Sequence, residues 1–262
     1  MKTWLPKGLR EALRRGLDPV LRRAGYIRFD TRLNYARDGL FSVHNDDFRR
    51  DPRFQDAYAR GVEASRGVDP QFDWRIHVAL WAAAAALERP GDFVECGVNA
   101  GFVSSAIMRR LDWAAVPRRF FLVDTFAGPV LEQFTAEEKK LGRDRVAEEL
   151  IARGAYVTDL ERVRANFAEW PNAVVVQGPV PEILASLEIG RVAFLHIDLN
   201  CAYPERAAFE FFWPRLSPGA LVLFDDYANN EYAFQKGELD AAARGLDARI
   251  LALPTGQGLI IR

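Results

Sequence analysis

The chain is short of several things, and each shortage excludes a class of protein. It has two cysteines in 262 residues, Cys96 and Cys201, too few for a disulfide scaffold and without metal-type spacing. Such usage fits a reducing, cytoplasmic setting. It lacks a charge of one sign, with 35 Lys plus Arg against 36 Asp plus Glu, which argues against general nucleic-acid binding. It lacks a long apolar run: the longest, Val78 to Leu87, is about half the roughly 20 residues a helix needs to span a bilayer. No secretory leader is legible, since Leu5, Leu9, Leu13, Leu17 and Leu21 recur four apart with arginines between them and form no continuous apolar core. Internal repeats and low-complexity linkers are missing too. These exclusions leave a soluble globular protein, expected as one large domain with an N-terminal extension.

The charge is less even than its total. Up to Arg37 there are ten Lys or Arg and three Asp or Glu, in a segment that reads as a basic amphipathic helix. Its apolar stripe suits docking or dimerisation, so a homo-oligomer is expected, with an anionic membrane or polyanion as the alternative partner. Residues 1–73 are expected to form this helical extension, including a helical pattern in DDFRRDPRFQDAYARGVEA. Residues 74–262 are expected to form the main domain, entered through the helix former DWRIHVALWAAAAALE, which ends before Pro90-Gly91.

From there apolar and helical stretches alternate. DFVECGV, RRFFLVDTF, NAVVVQG, VAFLHIDL and GALVLFDDY read as buried strands. Between and after them FVSSAIMRRLDWA, a charged region from Glu132 to Phe167 suited to a lid, PVPEILASL, PERAAFEFFWPRL and NEYAFQKGELDAAARGL read as helices. ARILALPTGQGLIIR closes the chain as two strands around a Pro-Thr-Gly-Gln-Gly turn. The alternation implies right-handed βαβ units. The expected fold is a doubly wound (Rossmann-like) α/β domain, a mostly parallel seven-stranded sheet with an antiparallel C-terminal hairpin. Ligands of such a sheet sit at the carboxyl ends of its strands.

At the first strand-to-helix turn, Glu95, Gly97 and Gly101 give acid-x-Gly-x-x-x-Gly, with Asn99 between them and Ser104 in the helix that follows. The second glycine of a nicotinamide fingerprint is absent. A carboxylate here suits a ligand carrying an ammonium group better than a pyrophosphate. Asp124 ends the next strand, followed by Thr125 and Phe126, and can accept the hydroxyl protons of a ribose. Gln177 and Gly178 end the third strand, where an adenine ring could be flanked. Singly, each residue has an ordinary structural explanation as a turn glycine or a helix cap. Together and in this order they resemble the S-adenosylmethionine site of class I methyltransferases.

Asp198 ends the fourth strand, and Asp225 and Asp226 end the fifth. Alone, an Asp-Asp pair would merely cap a loop. With Asp198 on a neighbouring strand, three carboxylates converge, which is costly unless a cation neutralises them. Oxygen ligands with room for water suit a hard divalent ion, Mg2+ above all.

FVECGVNAGF, FFLVDTFAG, VAFLHIDLNCAYPE and PGALVLFDDY resemble the macrocin O-methyltransferase (TylF/MycF-type) family, from about residue 74 to the C-terminus. The resemblance implies an S-adenosylmethionine-dependent, Mg2+-dependent O-methyltransferase of small molecules, often acting on sugar hydroxyls of natural products, with Asp198, Asp225 and Asp226 as metal ligands. The sequence departs from the family at Asn200, where the acidic candidate base is usual, and NCAYPE is one residue longer before the tyrosine. Asn accepts no proton at neutral pH. The base is then elsewhere, or water serves beside an acidified hydroxyl, or the activity is altered. His196 shares a strand face with Asp198 and is the first substitute; His44 is the second, and His77 reads as structural. Tyr203 and Tyr227 are expected at the acceptor, and the aromatic cluster FEFFWPRL in the core. A catechol-like acceptor satisfies the same metal geometry. A donor-binding scaffold without transfer activity is the competing class, and a nicotinamide oxidoreductase stands third.

Overall fold

The computed structural model describes residues 33–262 and, before them, only Pro19 and Arg23. The expected basic helix lies outside the described residues. The chain divides into two units, Met1–Asp46 and Asp47–Arg262, and the division expected at residue 73 falls inside the second. Within the first unit is a hairpin that the sequence reading did not include. Strand β1 (Tyr35–Arg37) pairs antiparallel with β2 (Leu40–Ser42). Asp38 and Gly39 turn between them with φ of 49° and 68°, as a tight right-twisted hairpin requires.

In the second unit, α1 (Pro52–Ala64) starts where Asp51 accepts a hydrogen bond from the Arg53 amide and Pro52 occupies the first helical position. Helix α2 (Asp73–Ala86) buries Ile76, Ala79, Leu80 and Ala83, the spacing of one helical face. The sheet strands are β3 (Asp92–Cys96), β4 (Phe120–Asp124), β5 (Ala173–Gln177), β6 (Val192–Ile197), β7 (Leu216–Phe224), β8 (Leu251–Ala252) and β9 (Gly258–Ile261). The intervening helices are α3 (Phe102–Leu111), α4 (Ala136–Lys140), α5 (Arg143–Ala152), α6 (Leu160–Phe167), α7 (Ala202–Phe212) and α8 (Ala233–Gly245). The expected helix over PVPEILASL is only a 3-10 turn, Glu182–Ser186. Pro179 and Pro181 have no amide to donate, so the regular pattern starts only after them.

The sheet order is β5-β4-β3-β6-β7-β9-β8, parallel from β5 to β7, with β9 antiparallel to both β7 and β8. Alternate residues feed two cores. Phe93, Leu122, Phe194 and Leu223 face α1, α2 and α3, whereas Val94, Val123, Leu195 and Phe224 face α7 and α8. Burying each such side chain contributes about 1.5–3 kcal/mol, so both faces commit the sheet to this register.

Candidate active site

The register sets the level of the strand tips. Cys96 pairs with Val123 on one side and Ile197 on the other, and Ile197 pairs with Phe224. Gly97, Asp124, Asp198 and Asp225 therefore emerge together. They do so between β3 and β6, where the chain reverses its direction of winding and doubly wound sheets open a crevice. Gly97, at φ 91°, is required by the close approach of its neighbour. A Cβ there would lie 1.8 Å from the Asp198 carbonyl oxygen.

Backbone amides organise the donor-side turn. Asp124 Oδ2 accepts from the Val98 and Asn99 amides (2.7 and 2.8 Å), and Oδ1 accepts from the Phe126 amide (2.7 Å). Asn99 in turn joins this turn to the segment after α5, accepting from the Val157 amide at 2.8 Å. Thr125 donates to the Gly128 carbonyl, and Gln177 to the Thr125 carbonyl. Glu95 is 2% exposed; its Oε1 receives His196 Nδ1 at 2.9 Å, while Oε2 is buried with no partner. An unsatisfied buried acceptor costs about 1–3 kcal/mol, which marks Oε2 as a place for a donor.

Four other residues expected at the donor have packing partners or buried surroundings of their own. A Cβ on Gly101 would strike the Phe167 ring at 2.4 Å, so this glycine serves the packing of α6 on α3. Gly178 meets Ile183 in the same way. Ser104 is fully buried with an unpartnered hydroxyl, and the Phe126 ring lies in the core. None of these four lines either cavity described below.

At the other end of the crevice, carboxylate oxygens of Asp198, Asp225 and Asp226 lie within 4.8 Å of one another. Here the sequence reading missed a cation. Arg75, from α2, places Nη1 2.8 Å from Asp225 Oδ2 and 3.0 Å from Asp226 Oδ1. Gln257 Nε2 donates to Asp225 Oδ1 (3.2 Å), and His196 Nε2 lies 3.9 Å from that oxygen, a charge contact rather than a hydrogen bond. The three carboxyls consequently differ. Burial pushes Asp198 well up, and the charges of Asp225 and Asp226 push it further. Burial and Asp225 also raise Asp226, against Arg75. Asp225 is buried as well, but Arg75, His196 and Gln257 outweigh that and hold it at about 2. Arg75 thus relieves one carboxylate and leaves Asp198 short of counter-charge. An all-oxygen, hard donor set in that condition fits a divalent cation.

The proton-accepting roles need correction. Burial pulls the His196 imidazole down, but Asp225 and Glu95 outweigh it and push it up to about 10. His196 is also 1% exposed and lines neither cavity described below, so its ring faces Glu95 and Asp225 rather than an acceptor. Asn200 adopts a left-handed backbone, φ 57°, which Asn tolerates better than most residues. Its amide donates to Asp198 Oδ1 (2.9 Å) and its carbonyl accepts from the Tyr232 hydroxyl (2.7 Å), making it a clamp on the first carboxylate. Arg143 covers the Tyr232 ring at 4.0 Å. Glu205 Oε1 holds the Leu199 and Asn200 amides, and burial pushes that carboxyl up to about 8. Tyr227 is buried, donating to Asp240, and so is no acceptor contact; Tyr203 is exposed. His77 stacks on Phe48 at 4.0 Å, a structural role, and His44 is exposed in the first unit. Phe209, Phe212 and Trp213 of the aromatic cluster are core, as expected.

Two cavities meet at Gly97, Asn99 and Asp198. The larger, about 480 Å3, is also lined by Glu95, Arg75 and Asp225. The smaller, about 80 Å3, is also lined by Asp124, Thr125, Tyr156 and Asn200. The segment read as a lid is latched beside them. Thr135 and Glu138 form a capping box at α4, and Glu138 Oε1 also accepts from the amide of Ala202, the first residue of α7, at 2.9 Å. Of the missed residues, Arg75 had a signal: it is the one charge inside the apolar run of α2 after Asp73. Tyr232 and Gln257 had none.

The winding, the glycine at the first turn and the acidic strand tips define a Rossmann-like methyltransferase architecture. Residues 94–227 match a family model described as a methyltransferase domain, and the chain belongs to that family. It is 33% identical over 145 residues to the 8-demethyl-8-(2,3-dimethoxy-alpha-L-rhamnosyl)-tetracenomycin-C 4'-O-methyltransferase of Streptomyces olivaceus, covering 53% of this chain and 54% of that protein. A 28% identity over 170 residues links it to the uncharacterized protein y4gI of Sinorhizobium fredii, covering 63% of this chain and 16% of that one. The chain thus spans about half, or less, of the length of these relatives. Among solved structures, the O-methyltransferase NovP superposes with a TM-score of 0.60 at 22% identity, covering 72% of this chain and 79% of that one. The calicheamicin methyltransferase CalS11 gives 0.51 at 19%, covering 84% and 98%. These two likenesses show the fold. No described helix is long and apolar enough to cross a membrane.

Proposed function

We propose that this protein is an S-adenosylmethionine-dependent, Mg2+-dependent O-methyltransferase of the macrocin type, acting on a hydroxyl of a sugar or glycosylated natural product. The observation that carries the reading is the trio Asp198, Asp225 and Asp226, gathered within 4.8 Å at the crevice, with Asp198 lining both cavities. The tetracenomycin-type relative, by its name an O-methyltransferase of a rhamnosylated compound, supports the acceptor class. The free, buried Cys96 and Cys201 support a reducing, cytoplasmic setting.

In this reading Glu95 binds the ammonium group of the donor, and Asp124 orients its ribose from the smaller cavity. S-adenosylmethionine supplies an electrophilic methyl group. Asp198, Asp225 and Asp226 would hold Mg2+, which would supply Lewis-acid charge beside the acceptor hydroxyl. The chain's own work is alignment. Gly97 lets the tip of β3 rest against the Asp198 carbonyl, and Asn200 fixes the rotamer of Asp198. Asn200, committed to two hydrogen bonds and without a basic atom at neutral pH, does not take the acceptor proton.

Asp225→Ala tests the reading. Methyl transfer from labelled donor to a panel of glycosylated and phenolic acceptors should fall at least about a hundredfold, while S-adenosylhomocysteine affinity measured without divalent metal stays within about threefold. Equal loss of both would contradict a separate metal role. Asn200 favours a second reading, a donor-binding scaffold. Wild-type protein that binds S-adenosylhomocysteine but methylates no acceptor with Mg2+ would select it.

A further inference from the structure

A line of close polar contacts joins the donor end of the crevice to its acidic end. Glu95 Oε1 meets His196 Nδ1 at 2.9 Å, His196 Nε2 faces Asp225 Oδ1 at 3.9 Å, and Arg75 Nη1 bridges Asp225 and Asp226 at 2.8 and 3.0 Å. The two ends of this line have unlike needs. Glu95 Oε2 is a buried acceptor without a partner in the wall of the larger cavity. Arg75, 8% exposed, lines the same cavity, but its Nη1 is spent on Asp225 and Asp226.

A wall carrying one buried carboxylate and one buried guanidinium is complementary to an α-amino acid head group. The ammonium pairs with Glu95, and the carboxylate takes the planar fork of Arg75, whose geometry favours bidentate pairing. On its other side, Arg75 occupies oxygens that a divalent ion would use and repels that ion by its own charge. A single guanidinium that faces both groups cannot be indifferent to either.

We infer that Arg75 is a positioning residue that couples the two sites. The carboxylate of the bound donor draws the guanidinium from Asp225 and Asp226, and so raises the affinity of the acidic trio for its metal. The inference rests on the donor and metal assignments proposed above. Without donor, Arg75 serves as a tethered counter-ion that keeps the trio tolerable in the fold. With donor, the trio is opened to a divalent ion. Linkage requires the reverse effect too: metal must raise donor affinity by the same factor.

The test is titration of the full chain with Mn2+, followed by electron paramagnetic resonance, with and without saturating S-adenosylhomocysteine. Wild type should bind Mn2+ about five- to tenfold more tightly with S-adenosylhomocysteine present. In Arg75→Met, Mn2+ affinity without S-adenosylhomocysteine should reach or exceed the wild-type value with it, and the coupling should shrink to within about twofold. Arg75→Lys, which keeps the charge but loses the fork, should keep metal binding weak and lose most of the coupling. Equal Mn2+ affinities in wild type with and without S-adenosylhomocysteine would overturn the inference, as would coupling that survives in Arg75→Met. Failure of wild type to bind Mn2+ in either state would instead sink the metal assignment, and failure to bind S-adenosylhomocysteine the donor assignment. Either failure takes the inference down as well, but each is read from a different titration.

Discussion

The two ends of the crevice are built on opposite plans. At the donor end, Asp124 accepts three backbone amides, and Gly97 lets one strand tip rest on the next. At the acidic end, Asp198, Asp225 and Asp226 are held by side chains: Arg75, Gln257 and Asn200. Backbone donors are fixed by the fold and leave little to adjust. Side-chain contacts between charges respond to protons, ions and ligands. The chain therefore keeps a fixed seat for a donor beside a seat whose electrostatics can change.

Three substitutions sharpen this contrast. The largest effect is expected for Gly97→Ala, whose new Cβ would lie 1.8 Å from a backbone oxygen that has no side-chain freedom to retreat. Loss of about 4 kcal/mol or more, seen as failure to fold or a collapsed denaturation midpoint, is expected. A near-wild-type midpoint would show that the strand tips can separate.

A smaller and pH-dependent effect is expected for Glu205→Gln. In the folded protein burial pushes this carboxyl up to about 8, against an ordinary 4.5. Between those values the folded state holds a proton that the unfolded chain has released, so stability falls as pH rises through the window. Gln at this position has no proton to lose. Thermal melts should show the variant gaining on wild type by several degrees between pH 5 and pH 8 and matching it near pH 4. Parallel melting curves across that range would contradict the assignment.

The smallest effect on stability, about 1–2 kcal/mol, is expected for Asn200→Asp, which replaces a hydrogen bond to Asp198 with a like charge 2.9 Å away. The protein should fold and its pH–rate profile for methyl transfer should shift. An unaltered profile would place this position outside the proton path.

Much of the contrast was legible in the residues, though unevenly. The strands announce themselves because parallel strands covered on both faces are continuous apolar runs, and Asp124, Asp198 and Asp225 stand where those runs stop. Gly101 and Gly178 also answer to packing against Phe167 and Ile183, a need that looks the same in sequence as a glycine kept for a ligand. The setting of His196 was not legible because Glu95 and Asp225, which enclose it, lie 101 and 29 positions away in a chain whose folding brings them together. Arg75 was missed for a similar reason: α2 is 150 residues from the carboxylate it meets.

The latch at Glu138 has a consequence for engineering. Exchange of residues 131–152 is the obvious route to a new acceptor preference, since this stretch sits beside the cavities and belongs to no strand. Yet the Glu138 carboxylate also closes the start of the helix that follows Asp198. A transplanted segment lacking an acid at that place would alter recognition and loosen the reacting centre in one stroke, so the graft must carry its acid with it.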